Sequence, residues 1–181
     1  MSSPLVDEPA RERIVFLCTG NAARSVMATI MFRDRCDAYQ VSGAGTFVVE
    51  GHPMSVRTRR ALERHGLADH THRSRQMWRA DSEATLVVAM APEHVRWVRA
   101  NHPDASSRTA TLKRLVTLLP GVQGVPGVSL ESRVAALALG EIEPADWEEV
   151  VDPAAGEQPV FDECADELDA LITELIAAIR P

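Results

Sequence analysis

An apolar strand, a loop of small residues and the start of a helix follow one another between Ile14 and Ser25. Four apolar residues lead directly into Cys18, Gly20 permits a positive φ, and the side chain of Asn21 can hydrogen-bond its own loop. Backbone N–H groups in such a loop point inward, and the dipole of the following helix adds positive potential. The segment therefore predicts a loop that binds a tetrahedral oxyanion at the end of the first strand.

Three side chains of this loop carry chemistry that suits an oxyanion. Arg24 presents a planar fork that can hold two anion oxygens. The positive potential favours the thiolate form of Cys18, and the hydroxyl of Ser25 lies where it can donate to the sulfur. The spacing Cys-x5-Arg is a weak signal by itself, and the alternative is that Cys18 is a buried cysteine at the end of a strand. The strand–loop–helix context favours a nucleophile.

An acidic, loop-like stretch before the last helix contains Asp152 followed by Pro153. A thiolate that attacks a phosphate monoester expels an alkoxide or phenoxide, so a nearby acid must protonate the leaving oxygen. Considered alone, an Asp-Pro pair is typical of an ordinary turn. Together with the Cys18 loop, it makes Asp152 the favoured acid.

Segments with strand character alternate with segments of helical periodicity along the chain. This alternation predicts an α/β fold, a single-domain open parallel sheet flanked by helices, with the anion-binding loop after the first strand. The predicted strands cover 13–18, 40–43, 85–90 and 108–112, and the predicted helices cover 25–38, 54–65, 92–101, 130–139 and a last helix between Phe161 and Ile179. Residues 1–12 are predicted to form a disordered N-terminal extension and residues 13–181 the domain. Within it, residues 113–147 form a longer connection that is either a surface loop excursion or a lid or partner-binding loop near the acid.

The chain resembles the low-molecular-weight protein tyrosine phosphatases, which have the pattern Cys-x-Gly-Asn-x-x-Arg-Ser near the N-terminus and Asp-Pro near the C-terminus. Further segments in the same order extend the resemblance from about Arg13 to the last helix. The resemblance implies that Cys18 is the nucleophile, Arg24 the phosphate clamp and Asp152 the general acid. It implies that Asn21, Ser25 and His72 support the loop, and that the substrate is held by Thr19, Gly20, Asn21, Ala22, Ala23 and Ser25.

Several positions depart from the pattern of this family. Many members carry two aromatic residues directly after Asp-Pro, where this chain has Ala154 and Ala155. Thr19 stands where a larger aliphatic residue is frequent, and Ala23 replaces a second cysteine that traps an oxidised nucleophile in many members. Stacking of a substrate ring on an aromatic wall contributes about 0.5–1.5 kcal/mol beyond area burial. We therefore expect weaker selectivity for phosphotyrosine.

These features favour a cysteine-dependent phosphomonoesterase, a protein tyrosine phosphatase that forms a phosphocysteine intermediate and uses an aspartate general acid. The alternative is an arsenate reductase that uses an external small thiol, since arsenate is isosteric with phosphate. A thioredoxin-coupled reductase needs two further cysteines close together, and none lies between Cys36 and Cys164. A third hypothesis is a binding module, a degenerate phosphatase that senses phosphate or redox state.

Composition limits the partners of the chain. A formal net charge of −7 argues against nucleic acid. No apolar run approaches the roughly eighteen residues that a membrane span requires, and no grouping of histidine with cysteine or carboxylate predicts a metal site. Three cysteines fit a reducing cytoplasm better than a disulfide framework. We therefore expect a cytoplasmic monomer or weak dimer without a cofactor. Its expected partner is a phosphorylated protein, a small phosphomonoester or another oxyanion, and not nucleic acid or a membrane.

Overall fold

Four parallel strands alternate with helices along the chain, and a computed structural model describes residues 11–122 and 127–180. The strands are β1 (Arg13–Cys18), β2 (Gln40–Gly45), β3 (Leu86–Ala89) and β4 (Thr109–Thr111). The helices are α1 (Arg24–Arg35), α2 (Val56–Arg64), α3 (Pro92–Asn101), α4 (Leu112–Leu118), α5 (Leu130–Ala136) and α6 (Gln158–Ile179). Short 3-10 helices cover Arg79–Glu83, Pro103–Arg108, Leu119–Val122, Leu139–Glu141 and Asp146–Glu148. The predicted α/β class and parallel sheet are confirmed.

The order of the strands places the predicted anion-binding loop at the topological switch point of the sheet. The order is β2-β1-β3-β4, so the chain passes from β1 to β2 on one side and then crosses to β3 on the other side. Sheets of this kind bind ligands in the crevice at the carboxyl ends of the strands where the winding direction changes. β1 ends at Cys18, and the following loop therefore lies in this crevice.

Alternate residues of β1 face two different cores. Ile14, Phe16 and Cys18 belong to the larger core, whereas Val15 and Leu17 belong to a smaller core on the opposite face. Side chains alternate along a strand, and helices cover both faces of a parallel sheet, so an uninterrupted apolar strand suits this central position. The alternation directs Cys18 to the face that carries α1 and α6.

The larger core is closed mainly by α1 and α6. The rings of Phe16 and Phe32 pack with their centroids 5.8 Å apart. Along α6, buried side chains recur at helical spacing: Phe161, Cys164, Leu168, Ile172, Leu175 and Ile179. The Tyr39 hydroxyl and the Arg133 guanidinium donate to the last carbonyl oxygens of this helix. These donors satisfy backbone groups that a helix end otherwise leaves unpaired.

The long connection between β4 and the Asp152 loop contributes to this core. Its described parts contain α4 and α5, and its buried side chains include Leu115, Leu119, Leu130 and Val134. The carboxylate of Glu12 accepts hydrogen bonds from the first two backbone amides of α5. Residues 1–10 of the predicted extension and residues 123–126 of the connection lie outside the described residues.

Three elements end two or more residues away from the predicted position. α1 stops at Arg35 because Cys36 is extended, with φ −148° and ψ 118°. α5 stops at Ala136, ahead of Ala138, which has a left-handed φ of 49°. β2 continues to Gly45 because that residue pairs with Cys18 at the end of β1.

The missing side chain of Gly45 lets β2 approach the loop closely. A Cβ at this position would lie 2.5 Å from the carbonyl oxygen of Thr19 and 3.0 Å from the amide nitrogen of Asn21. We expect Gly45→Ala to lower the free energy of unfolding by about 1–3 kcal/mol, as overpacking does, and to weaken phosphate binding because the displaced backbone belongs to the loop. Urea unfolding and a phosphate titration measure the two effects. Gly121→Ala, at a site with open space, is the control, and equal effects of both variants would contradict the prediction.

Candidate active site

The loop of residues 18–24 is held from outside through its carbonyl oxygens. The Thr46 amide donates to the Cys18 carbonyl, and the Phe47 amide donates to the Thr19 carbonyl. The side chains of His72 and Ser74 donate to the Asn21 carbonyl, and the Thr58 hydroxyl donates to the Ala22 carbonyl. Each of these distances is within 3.0 Å. A trans peptide directs its N–H opposite to its C=O, so outward carbonyls turn the next amides inward. In the described chain, no backbone amide of residues 19–23 donates a hydrogen bond within the protein. These amides can converge on a tetrahedral anion.

Asn21 is the residue on which this loop turns. It is fully buried and has a left-handed φ of 48°, which asparagine tolerates better than most residues. Its side chain donates to the Ser25 hydroxyl at 2.9 Å and accepts from the Arg75 amide at 3.1 Å. His72 donates to its carbonyl, and burial lowers the pKa of His72, which favours the neutral ring. The amide side chain thus ties the loop to α1 and to the segment before β3.

The sulfur of Cys18 lies 3.0 Å from the hydroxyl oxygen of Ser25. Because Asn21 already donates to that oxygen, the Ser25 hydrogen is free to point at the sulfur. A hydroxyl donor favours the charged form of a thiol. The start of α1 and the guanidinium of Arg24 add positive potential at the same place. The site therefore places a hydroxyl donor and the start of a helix beside the sulfur.

Arg24 joins the loop to the acidic segment near the C-terminus. Its side chain is 2 % exposed, and it donates to the carbonyl of Val150 at 3.0 Å and to a carboxylate oxygen of Asp152 at 2.6 Å. The other carboxylate oxygen of Asp152 accepts from the Ala154 amide at 3.0 Å. The ion pair lies at the mouth of the loop, since the Asp152 side chain is 42 % exposed. One arginine thus contacts the predicted acid directly from the anion-binding loop.

A buried carboxylate anchors the segment that carries Asp152. Glu148 is 1 % exposed and accepts hydrogen bonds from Thr111, Arg114 and the amide of Ala145. Burial raises the pKa of Glu148, but these donors outweigh it and leave the pKa below its usual value. Two residues later, the amide of Val150 donates to the carbonyl of Met90 at 2.8 Å, just beyond β3. The segment is therefore fixed at the carboxyl end of the strand beside β1.

A second histidine contacts the loop from α3. The Nε2 atom of His94 lies 2.9 Å from the hydroxyl of Thr19, and the ring is 1 % exposed. Burial, assisted by the positive charge of Arg24, lowers the pKa of His94 to about 3. The ring is therefore neutral across the usual working range of an enzyme. Its Nδ1 atom is buried and has no hydrogen-bond partner among the described residues.

Aromatic side chains do not form a wall after Asp152. Ala154 and Ala155 are exposed. Phe47, whose amide bonds the Thr19 carbonyl, is 82 % exposed. The guanidinium of Arg114 lies 5.0 Å from the centroid of the Trp147 ring, and Trp147 is 55 % exposed. Phe47 therefore presents an exposed ring on a residue whose own backbone contacts the loop.

The remaining thiols lie in structural positions. Cys164 is buried on α6, and burial raises its pKa to about 12. Cys36 is half-buried after α1. The described residues contain no group of three or more metal-binding side chains. None of the helices in residues 11–122 and 127–180 combines the length and apolar character that crossing a bilayer requires.

The structure brings the predicted site residues together from both ends of the chain. Cys18, Arg24 and Ser25 meet Asp152 through the contacts above, and His72 supports the loop at Asn21. Further contacts that the sequence prediction missed come from Thr58, Ser74, Arg75, His94 and Val150. The hydroxyl residues lie in ordinary polar segments, and Val150 acts through its backbone, so no sequence pattern marks them. The signal at His94 is only a polar residue soon after an apolar strand.

The fold and the site together define a cysteine-dependent phosphatase architecture. The loop lies at the switch point of a parallel sheet, with a cysteine at its start and an arginine–aspartate pair at its mouth. Comparisons agree with this class. Residues 13–123 match the family described as "Low molecular weight phosphotyrosine protein phosphatase". The chain belongs to this family, and it is a phosphatase.

Two relatives cover nearly the whole chain. A protein-arginine-phosphatase of Geobacillus stearothermophilus is 30 % identical over 170 residues, which is 93 % of this chain and 96 % of the relative. A low molecular weight protein-tyrosine-phosphatase of Streptomyces coelicolor is 33 % identical over 177 residues, or 93 % of each chain. Among solved structures, the YwlE arginine phosphatase of G. stearothermophilus superposes with a TM-score of 0.72 at 30 % identity, covering 92 % of this chain and 91 % of the other.

The buried neutral His94 makes stability depend on pH. Its pKa is about 3 in the folded chain against an ordinary 6.5, so the unfolded chain binds a proton that the folded chain refuses. This contribution to stability is present above pH 6.5 and is lost as the pH falls toward 3. Between pH 7 and 5 the expected loss is about 2 kcal/mol.

His94→Gln, which cannot titrate, should remove that share of the pH dependence. Urea unfolding of the wild type and the variant at pH 7 and pH 5 measures it. The exposed His70→Gln serves as the control and should keep the wild-type difference. A His94→Gln difference equal to that of the wild type would contradict the assignment.

Proposed function

We propose that the chain is a phosphoprotein phosphatase that works through a phosphocysteine on Cys18, with Asp152 as general acid. The contact between the Cys18 sulfur and the Ser25 hydroxyl, beneath a loop of unbonded amides, carries the proposal. It supports a stabilised thiolate placed where an anion would sit. The ion pair between Arg24 and Asp152 supports a shared site for the phosphoryl group and the acid.

The proposed first step forms a P–S bond and breaks the bond between phosphorus and the leaving group. The Cys18 thiolate attacks phosphorus, while loop amides and the Arg24 fork hold the equatorial oxygens. The phosphoryl group competes with Asp152 for the guanidinium, which releases the carboxyl group from its ion pair. The released, solvent-exposed Asp152 carboxylate takes up a proton from solvent and then gives it to the leaving atom.

The proposed second step restores the enzyme with water. Asp152, now a carboxylate, takes a proton from the attacking water as the P–O bond forms. The P–S bond breaks, inorganic phosphate leaves, and Cys18 returns as the thiolate. The backbone tether through Val150 supports this double role, because it keeps Asp152 beside the loop throughout.

Cys18→Ser should reduce hydrolysis of p-nitrophenyl phosphate on the order of 10⁴-fold or more, because the hydroxyl is a far weaker nucleophile. Phosphate binding, measured by calorimetry, should persist in this variant. Cys36→Ser is the matched control and should keep full activity, since that thiol lies outside the site. Retained turnover in Cys18→Ser would exclude the covalent mechanism.

Asp152→Asn should lower turnover by about 10²–10⁴-fold for substrates with poor leaving groups, and by less for p-nitrophenyl phosphate. A good leaving group needs little protonation, so the loss should grow with leaving-group basicity. Rapid-quench kinetics with intact-mass detection measures the phosphocysteine. It should accumulate more in Asp152→Asn than in the wild type only for substrates with which the variant slows the breakdown of phosphocysteine more than its formation. A loss independent of the leaving group would reject Asp152 as the acid.

Arsenate with a small thiol is assayed in parallel, and Cys18-dependent arsenate loss without phosphatase activity would favour the reductase.

The substrate pocket supports a phosphatase with little preference for an aromatic leaving group. Exposed Ala154 and Ala155 provide no ring after Asp152, and the ring of Trp147 already contacts the guanidinium of Arg114. The two full-length relatives are named for different substrates, phosphoarginine and phosphotyrosine proteins. Small, exposed residues after Asp152 are compatible with both side chains as substrates of this chain.

Ala154→Tyr should raise kcat/KM for a phosphotyrosine peptide by about two- to tenfold, because stacking adds about 0.5–1.5 kcal/mol. A phosphoarginine peptide, which lacks an aryl ring, is the internal control. Parallel measurement of kcat/KM for both peptides tests the effect and ranks the two substrate classes in the wild type. An equal gain for both peptides, or no gain for either, would show that no missing wall limits phosphotyrosine binding.

A further inference from the structure

His94 contacts the anion-binding loop and is not part of the catalytic set described above. It lies in the first turn of α3, just after the strand that neighbours β1. Among the described residues, the ring makes one hydrogen bond, which joins Nε2 to the hydroxyl of Thr19, the residue after the proposed nucleophile, at 2.9 Å. The ring is 1 % exposed, and its hydrogen bond is made to the loop rather than within the core. Packing alone does not account for a buried polar ring that bonds in this way.

The surroundings of the ring determine where its proton lies. Two oxygen atoms approach Nε2, the Thr19 hydroxyl at 2.9 Å and a carboxylate oxygen of Glu93 at 3.4 Å. Nδ1 has no partner among the described residues. A buried N–H without an acceptor is costlier than a buried lone pair without a donor, so the proton belongs on Nε2. His94 therefore donates to Thr19.

This donation pins Thr19 from a second direction. The carbonyl of Thr19 already accepts the amide of Phe47 at 3.0 Å, from the segment after β2. The hydroxyl is held from α3, on the other side of β1. The Thr19 amide belongs to this residue, and the Gly20 amide shares a peptide plane with the Thr19 carbonyl; neither amide donates a hydrogen bond within the described residues. Their direction depends on both anchors.

The charge of the ring matters because Arg24 is close. Burial and the Arg24 charge keep His94 neutral, so the donor adds no second cation to the site. A neutral donor holds the loop equally well at every pH at which the thiolate operates. A lysine or arginine at this place would instead change the field at the sulfur.

We propose that His94 is a positioning residue for the phosphatase reaction, which orients the amides next to Cys18 by donating Nε2–H to Thr19. The proposal rests on the proposed function in its kinetic readout, but its binding readout is independent of turnover. It predicts that the position of a neutral donor, rather than the presence of a histidine, decides phosphate affinity and rate.

Two isosteric amides separate position from chemistry. The glutamine amide nitrogen occupies the place of Nε2, whereas the asparagine amide nitrogen occupies the place of Nδ1. We expect His94→Gln to retain most of the wild-type kcat/KM and phosphate affinity. His94→Asn should lose about two- to twelvefold in both, the range of one neutral hydrogen bond. Thr19→Val, which removes the acceptor, should show the same loss as His94→Asn.

A double-mutant cycle tests the connection between the two residues. If His94 acts through Thr19, the double variant with Thr19→Val and His94→Asn should be no worse than either single variant. Thr109→Val is the control, because it removes a buried hydroxyl that bonds only the Ala105 carbonyl away from the loop. It should lower stability without changing phosphate affinity.

The measurements are inorganic phosphate binding by calorimetry in the Cys18→Ser background, and kcat/KM for p-nitrophenyl phosphate in the active background. Equal losses for the glutamine and asparagine variants, or additive losses in the double variant, would overturn the proposal. Wild-type affinity in Thr19→Val would overturn it as well. If p-nitrophenyl phosphate is not hydrolysed at all, the proposed function fails, and the ranking of phosphate affinities still decides the role of His94.

Discussion

The site depends on a backbone arrangement in which the loop after β1 turns its carbonyl oxygens outward. The donors to these carbonyls come from three parts of the chain: the segment after β2, helix α2 and the segment before β3. Because a trans peptide carries its N–H opposite to its C=O, the bonds that hold these carbonyls also turn the following amides to the other side of the loop. The hydrogen bonds that stabilise the loop thus leave its amides without a partner in the described residues.

Asn21 connects this arrangement to the nucleophile. Its left-handed backbone makes the turn, and its side-chain amide donates to Ser25, which frees the Ser25 hydrogen for the Cys18 sulfur. A change at Asn21 would therefore act on the shape of the loop and on the charge of the thiol together. His94 reaches the other end of the loop at Thr19, so histidine and asparagine side chains steady its two halves.

The predicted acid reaches the loop by a longer route. Glu148 is buried among donors from β4 and α4, and Val150 bonds the backbone beyond β3, so Asp152 arrives at the mouth of the loop from a segment fixed at both points. Arg24 completes the connection by bonding both Val150 and Asp152. Arg24 lies more than a hundred positions before both residues, so one guanidinium joins distant parts of the chain.

The sequence by itself determined the class of the fold and the identity of the central loop, because both depend on local patterns. The apolar run into Cys18, the small residues after it and the arginine at the start of α1 are contiguous. The strand–helix alternation then limits the sheet to a parallel one. Tertiary structure alone decided which distant groups serve the loop. Thr58, Ser74 and His94 bond it through single atoms, and Val150 does so through its backbone. Such contacts leave no periodicity or spacing in the chain, since they depend on how separate elements pack against the end of β1.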